Sequence, residues 1–251
     1  MMRIVSGPEE VAEEGARFVA ERLAASAEEL TGPISFVLSG GRTPARLYSL
    51  LAGQAGVGVP WGRVRAFWGD ERCVPLEDPR SNYRMALSSG LLTRGFSSVH
   101  RIAGELPAEE AAAAYEAELR DLIPGRSFPR FDLMLLGLGD DGHVASLFPG
   151  SAQVSETERW VVATQEHGDI RRVTFTMPVL ASARHLVFLV TGQEKAQALR
   201  MTLAGPRASG GPRTPAGALL EIVASKALAG GEVPEVMWLV DAAAASDLPA
   251  G

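Results

Sequence analysis

Four short, mostly apolar runs in this chain each end on a glycine-bearing polar turn. Residues 34–38 lead into Ser39-Gly40-Gly41, and residues 64–68 into Gly69-Asp70-Glu71-Arg72. Residues 131–136 lead into Gly137-Leu138-Gly139-Asp140-Asp141-Gly142-His143, and residues 186–190 into Thr191-Gly192. Apolar runs of this length bounded by turn residues are the pattern of strands buried on both faces. Between them the apolar spacing is helical: Val11, Phe18, Val19, Leu23 and Leu30 in one stretch, and Leu47, Tyr48 and Leu51 after Pro44. Residues 82–92, 107–123 and 194–203 also read as helices, and 144–148 as the start of a short one. Residues 160–163, 173–177 and 236–240 read as further strands. Strands alternating with helices predict an α/β fold: a doubly wound, mostly parallel sheet with helices on both faces. No repeat or long linker interrupts the pattern, so one domain over 1–251 is expected. The Pro/Gly-rich stretch 205–217 reads as a surface loop or flap.

In such a sheet, ligands sit beyond the carboxyl ends of the strands. The four polar turns all fall at those ends, which points to one shared site.

Composition narrows what that site binds. The 251 residues are 46 % hydrophobic and 22 % charged, close to a globular average, and the net charge is −6. An acidic chain has no general attraction to nucleic acid or to an anionic membrane, so neither is an expected partner. An anionic substrate would be held by a few local Arg or Lys residues. The single cysteine, Cys73, cannot form an internal disulfide, and no zinc motif is present. The N-terminal segment has no apolar signal core and no stretch reaches membrane-spanning length, so a cytoplasmic location is expected.

Ser39-Gly40-Gly41-Arg42-Thr43 leaves a strand and opens a helix, where free backbone N–H groups and hydroxyls suit an anion equally well as a tight capped turn. It lacks the Walker spacing and the dinucleotide-binding glycine pattern. Gly69-Asp70-Glu71-Arg72 sets two carboxylates and a guanidinium at a strand end, either to orient a substrate or as a structural ion pair. His143, just past a glycine turn and beside Asp140 and Asp141, suits proton transfer near neutral pH. His100, His167 and His185 have no such setting and read as surface or strand residues, so no metal is expected. Arg171, Arg172 and Lys195 are candidate anion ligands, Arg through its planar fork and Lys as a point charge.

Taken with their neighbours, these segments resemble one known family. Residues 38–44 (Leu-Ser-Gly-Gly-Arg-Thr-Pro), 68–75 (Trp-Gly-Asp-Glu-Arg-Cys-Val-Pro), 81–83 (Ser-Asn-Tyr) and 137–150 (from Gly137-Leu138-Gly139 to Phe148-Pro149-Gly150) look like the 6-phosphogluconolactonases. Residues 172–174 and 189–196 fit the same pattern, so the resemblance spans about 34–200. The family shares its fold with glucosamine-6-phosphate deaminase. That relative continues its Gly-x-Asp-Gly-His turn into a Phe-Asn-Glu-Pro-like sequence, where this chain has Ser146-Leu147-Phe148-Pro149-Gly150. The resemblance implies hydrolysis of 6-phospho-D-glucono-1,5-lactone without metal or redox cofactor, by a monomer or small homo-oligomer. It implies His143 as general base oriented by Asp141, with Asp70 or Arg72 near the sugar hydroxyls or the oxyanion. The phosphate then falls to Ser39, Gly40, Gly41, Thr43, Arg172 and Lys195. Two alternatives share the motifs: deamination and isomerisation of glucosamine 6-phosphate, and a sugar-phosphate-binding regulator without catalysis.

Overall fold

Phe36, Val37 and Leu38, Ala66, Phe67 and Trp68, and the run Leu133 to Leu136 are all shielded from solvent, although neighbours along a strand point to opposite faces. A sheet covered on both sides satisfies all of them at once, and the chain builds one. The structure, a computed structural model, describes residues 1–167, 169–209 and 213–249. Its central sheet has seven strands: β1 (Met2–Val5), β2 (Ile34–Leu38), β3 (Val64–Trp68), β5 (Ser98–His100), β6 (Leu133–Gly137), β9 (His185–Val190) and β10 (Glu235–Asp241). The order is β1-β10-β9-β6-β2-β3-β5, and every pairing is parallel. The remaining strands, β4 (Asp70–Arg72), β7 (Val161–Ala163) and β8 (Arg172–Phe175), form a separate antiparallel sheet in the order β4-β8-β7. The strands expected over 160–163 and 173–177 are therefore present as β7 and β8, but outside the parallel sheet, and the second stops at Phe175 because Met177 already opens a helix.

The helices are α1 (Pro8–Glu29), α2 (Arg42–Ala52), α3 (Asn82–Ser88), α4 (Ala108–Leu122), α5 (Met177–Leu180), α6 (Ala196–Ser209) and α7 (Pro215–Leu228). Pro8 at the first turn of α1, followed by Glu9 and Glu10, suits a helix start. Its inner stripe, Val11 to Leu23, packs on α2 and against β9 and β10. α4 lies against β7 and β8, and its Tyr115 hydroxyl accepts the Trp68 N–H at the end of β3. Tyr115 and Phe131 both stack on Phe175, which ties the two sheets into one apolar interior.

Three local expectations fail. Residues 144–148 form no helix: Ala145 takes φ 50°, which breaks helical dihedrals, and Val144 bridges back to Leu147. The helix expected over 82–92 ends at Ser88, because Gly90 turns left-handed at φ 80°. The stretch 205–217 is mostly helical rather than a loop. α6 runs to Ser209, and α7 starts at Pro215 behind a Thr214 cap whose hydroxyl accepts the Gly217 N–H at 3.0 Å. Residues 210–212 of that expectation lie outside the described residues. Among the described residues no helix is long and apolar enough to cross a membrane.

Candidate active site

The chain leaves β2 toward β3 and β5 on one side, and leaves β6 toward β9 and β10 on the other. Loops at such a reversal diverge and leave a crevice at the strands' carboxyl ends. Here the crevice is a cleft of about 300 Å³. Nine of the ten site residues expected from the sequence line it: Ser39, Gly40, Gly41, Thr43, Asp70, Arg72, His143, Arg172 and Lys195. The tenth, Asp141, stands against the His143 ring.

His143 Nδ1 lies 2.6 Å from Asp141 Oδ1, and the same oxygen accepts the His143 backbone N–H at 2.9 Å. The carboxylate thus holds both the ring and its backbone, and Nε2 is the ring nitrogen left for a substrate or water. Gly139 makes this possible. A Cβ there would sit 2.0 Å from His143 Nδ1 and 2.6 Å from Asp141 Oδ1. Burial holds the His143 imidazole below its ordinary pKa, and the Asp141 charge opposes that only in part. Burial likewise disfavours the Asp141 carboxylate, but the hydrogen bonds and charge from His143 outweigh it, and the net shift is downward. A neutral imidazole beside an ionised carboxylate is the form in which His accepts a proton.

The two acidic residues after Gly69 separate in role. Asp70 is buried; its Oδ2 accepts the Ser146 hydroxyl at 2.6 Å, and its backbone oxygen accepts the Asn82 amide at 2.9 Å. Asn82 in turn sits beneath Gly40, where a Cβ would lie 2.0 Å from its Oδ1. Glu71 faces away from the cleft. Its carboxylate accepts the N–H groups of Arg72, Asn82 and Tyr83 and the Ser81 hydroxyl, and so fastens the start of α3. No ion pair joins the Arg72 guanidinium to either carboxylate; its Nη1 donates to the Arg80 carbonyl at 2.6 Å.

Arg72 and Arg172 are direct partners across the β4–β8 ladder. Two like charges so placed repel unless an anion lies between them. Each has a buried Nε with no hydrogen-bond partner. Burial, and then the neighbouring Arg72 charge, lowers the Arg172 pKa. Arg171, one residue earlier, points elsewhere, donates to Glu109 at 2.8 Å and takes no part in the cleft. Lys195 ends a single 3-10 turn, Gln193–Lys195, just before α6 rather than within it. Thr43 Oγ1 and Thr191 Oγ1 approach to 2.9 Å across the cleft's far end. Backbone atoms of Ser39 are bound to the Tyr48 hydroxyl, which fixes the turn after β2.

Sequence reasoning missed Ser146, Asn82, Phe148 and Glu194 as parts of the site. All four lie inside segments that already carry the resemblance, and only the folded structure singles them out. Among the described residues no group of three or more His, Cys, Asp or Glu side chains could hold a metal ion.

Known proteins resemble this chain in sequence and in fold. Residues 6–225 match the family model described as glucosamine-6-phosphate isomerases/6-phosphogluconolactonase. A 6-phosphogluconolactonase of Streptomyces coelicolor is 38 % identical over 238 residues, covering 89 % of this chain and 85 % of that one. A Synechocystis 6-phosphogluconolactonase is 42 % identical over 173 residues, covering 67 % and 70 %. The solved 6-phosphogluconolactonase of Trypanosoma brucei superposes with a TM-score of 0.83 at 30 % identity, over 99 % of this chain and 98 % of that one. A monomeric glucosamine-6-phosphate deaminase, 21 % identical with a TM-score of 0.71, shares the fold. With its switch-point cleft, its Asp141–His143 pair and these relatives, the chain belongs to the glucosamine-6-phosphate isomerase/6-phosphogluconolactonase family.

Proposed function

We propose that this chain is a 6-phosphogluconolactonase: it hydrolyses 6-phospho-D-glucono-1,5-lactone to 6-phospho-D-gluconate in the oxidative pentose phosphate pathway. The observation that carries the reading is one cleft that holds both an imidazole braced by a carboxylate and three cationic side chains, Arg72, Arg172 and Lys195. The phosphate anchors the substrate at the cations and at the turn formed by Ser39, Gly40, Gly41 and Thr43. The unpartnered Nε atoms of Arg72 and Arg172 support that end of the pose. Remote binding of this kind orients the reacting carbonyl. His143 Nε2 removes a proton from water as its oxygen bonds to C1. The tetrahedral intermediate then expels the ring oxygen, which takes the proton back from the imidazolium. Asp141 steadies that imidazolium, and Asp70, held by Ser146, orients a sugar hydroxyl.

Freshly prepared lactone, corrected for spontaneous hydrolysis at fixed pH, tests the reading. His143→Ala should lower kcat about 10²–10⁴-fold with a smaller effect on KM. Arg172→Ala should chiefly raise KM. Ammonia release from glucosamine 6-phosphate without lactone turnover would instead make the chain a deaminase, and ligand binding without turnover would make it a regulator. The same proposal treats the chain as one catalytic domain, cytoplasmic, and a monomer or small homo-oligomer. Fractionation of the native host and light scattering on the purified protein check the last two.

A further inference from the structure

Phe148 does not line the cleft, yet two of the cleft's functional groups rest on it. Its ring centroid lies 4.6 Å from that of His143, and the Arg172 guanidinium carbon lies 5.1 Å above it. A third group closes on the same ring: His167, from the loop joining β7 to β8, stacks on it at 3.9 Å with 16° between the ring planes. Beyond Phe148 is a second hollow of about 210 Å³, bordered by Gln153, Thr164 and His167. The ring thus borders this second hollow on one side and backs His143 and Arg172 on the other, outside the main apolar core, and is only 7 % exposed.

We propose that Phe148 is a positioning residue: its ring keeps water from the His143 imidazole and seats the Arg172 guanidinium, while His167 clamps it in place. The proposal rests on the lactonase reading for what His143 and Arg172 do. An apolar ring against an imidazole removes first-shell water from it, and an aromatic face attracts a guanidinium. The two effects act on opposite ends of the substrate. Drying the base affects the proton transfer, and seating the guanidinium affects how tightly the phosphate is held. A residue that merely filled space would not link the two.

The groups facing His143 are Asp141 on its own turn, Asp70 on β4 and Arg172 on β8, with uncharged Thr214 against Gly142 and His167 behind Phe148. Asp141, Asp70 and Thr214 do not rest on the Phe148 ring and stay in place when it is changed; Arg172, whose charge lowers the imidazole's pKa, loses its seat, and this acts in the same upward direction as rehydration. Burial is the largest influence holding the imidazole below its ordinary value. Phe148→Leu keeps an apolar side chain but removes the flat ring. The acid limb of kcat/KM should move up by about half a unit to one unit as the imidazole rehydrates. KM for the lactone should rise several-fold as Arg172 loses its seat. His167→Ala should give the same two changes at smaller size. Phe148→Tyr and His167→Phe, which keep the stack, should restore wild-type values.

A folded Phe148→Leu enzyme with the wild-type acid limb and KM overturns the proposal. If that variant does not fold, an unchanged limb and KM in His167→Ala overturns it instead. If the wild-type protein turns over no lactone, the functional reading is what has failed. The proposal is then still tested by NMR titration of the His143 ring, which should shift upward in Phe148→Leu; a superposable titration curve would refute it.

Discussion

Replacing Asp141 by Asn changes one charge and almost no shape. Its Oδ1 accepts both the His143 backbone N–H, at 2.9 Å, and the ring Nδ1–H, at 2.6 Å. An asparagine oxygen can accept both as well. Turning the amide over would set its NH₂ against the backbone N–H, so the oxygen stays inward and the ring keeps its tautomer. What is lost is the charge assistance to the imidazolium. A hydrogen bond to a charged group contributes about 1.5–3 kcal/mol and a neutral one about 0.5–1.5 kcal/mol. The difference, about 1–1.5 kcal/mol, is about one pKa unit or a factor of ten in rate. Asp141→Asn should therefore lower kcat about tenfold, leave KM nearly unchanged, and move the acid limb of kcat/KM down by about one unit. The measurement is acid release from fresh lactone at fixed pH, across a pH series. A loss as deep as that of His143→Ala would refute this reasoning, because it would mean that the carboxylate fixes the tautomer rather than supplying charge. An unmoved acid limb would refute it equally.

Three other substitutions test separate parts of the site. Gly139→Ala places a methyl 2.4 Å from His143 Cε1 and 2.6 Å from Asp141 Oδ1; kcat should fall toward that of His143→Ala while the urea midpoint changes little, and a wild-type kcat would contradict the steric account. Glu71→Gln sets an amide NH₂ against a buried backbone N–H such as that of Tyr83, and should cost about 1–3 kcal/mol in urea unfolding, so an unchanged midpoint would show that the carboxylate does not fasten α3. The third concerns pH and stability. His143 sits below its ordinary value of 6.5 in the fold because of burial, so the unfolded chain binds more protons as pH falls past 6.5. Stability from this group is present above that value and is lost as pH drops through the folded pKa. His143→Gln should flatten the fall in urea midpoint on acidification, leaving the part due to His185, which burial also depresses; an unaltered slope would be evidence against it.

The strand ends were legible because an apolar run and a glycine are both local signals. Ser39, His143 and Lys195 could be placed on one rim without knowing the strand order. β4 was not legible: three polar residues, Asp70 to Arg72, form a strand only because β8 lies opposite. The pairing of Arg72 with Arg172 was hidden for the same reason, since the partners lie a hundred positions apart in the chain. The helix expected over 144–148 had the right residue types, but Ala145 takes a left-handed conformation that composition cannot reveal. α6 continues through Gly205 and Pro206, so tertiary context overrides local helix propensity there. Glu71 and Asp70 look equivalent in sequence. Only the backbone N–H groups gathered around Glu71 show that one braces a helix while the other faces the cleft.

The ladder between β2 and β6 is short, with Phe36 opposite Leu133 and Val37 opposite Met134, whereas β2–β3 and β6–β9 each carry five matched pairs. This thin joint runs directly under the cleft. At its foot it is pinned, because Asp132 accepts both the N–H and the hydroxyl of Ser35, at 2.8 and 2.6 Å. At its lip the Ser146–Asp70 bond spans the gap. The molecule thus resembles a pair of jaws riveted at the base, with the Asp141–His143 pair on one jaw and the Ser39–Thr43 turn on the other. A small change of bite alters the span between them while breaking very few main-chain bonds.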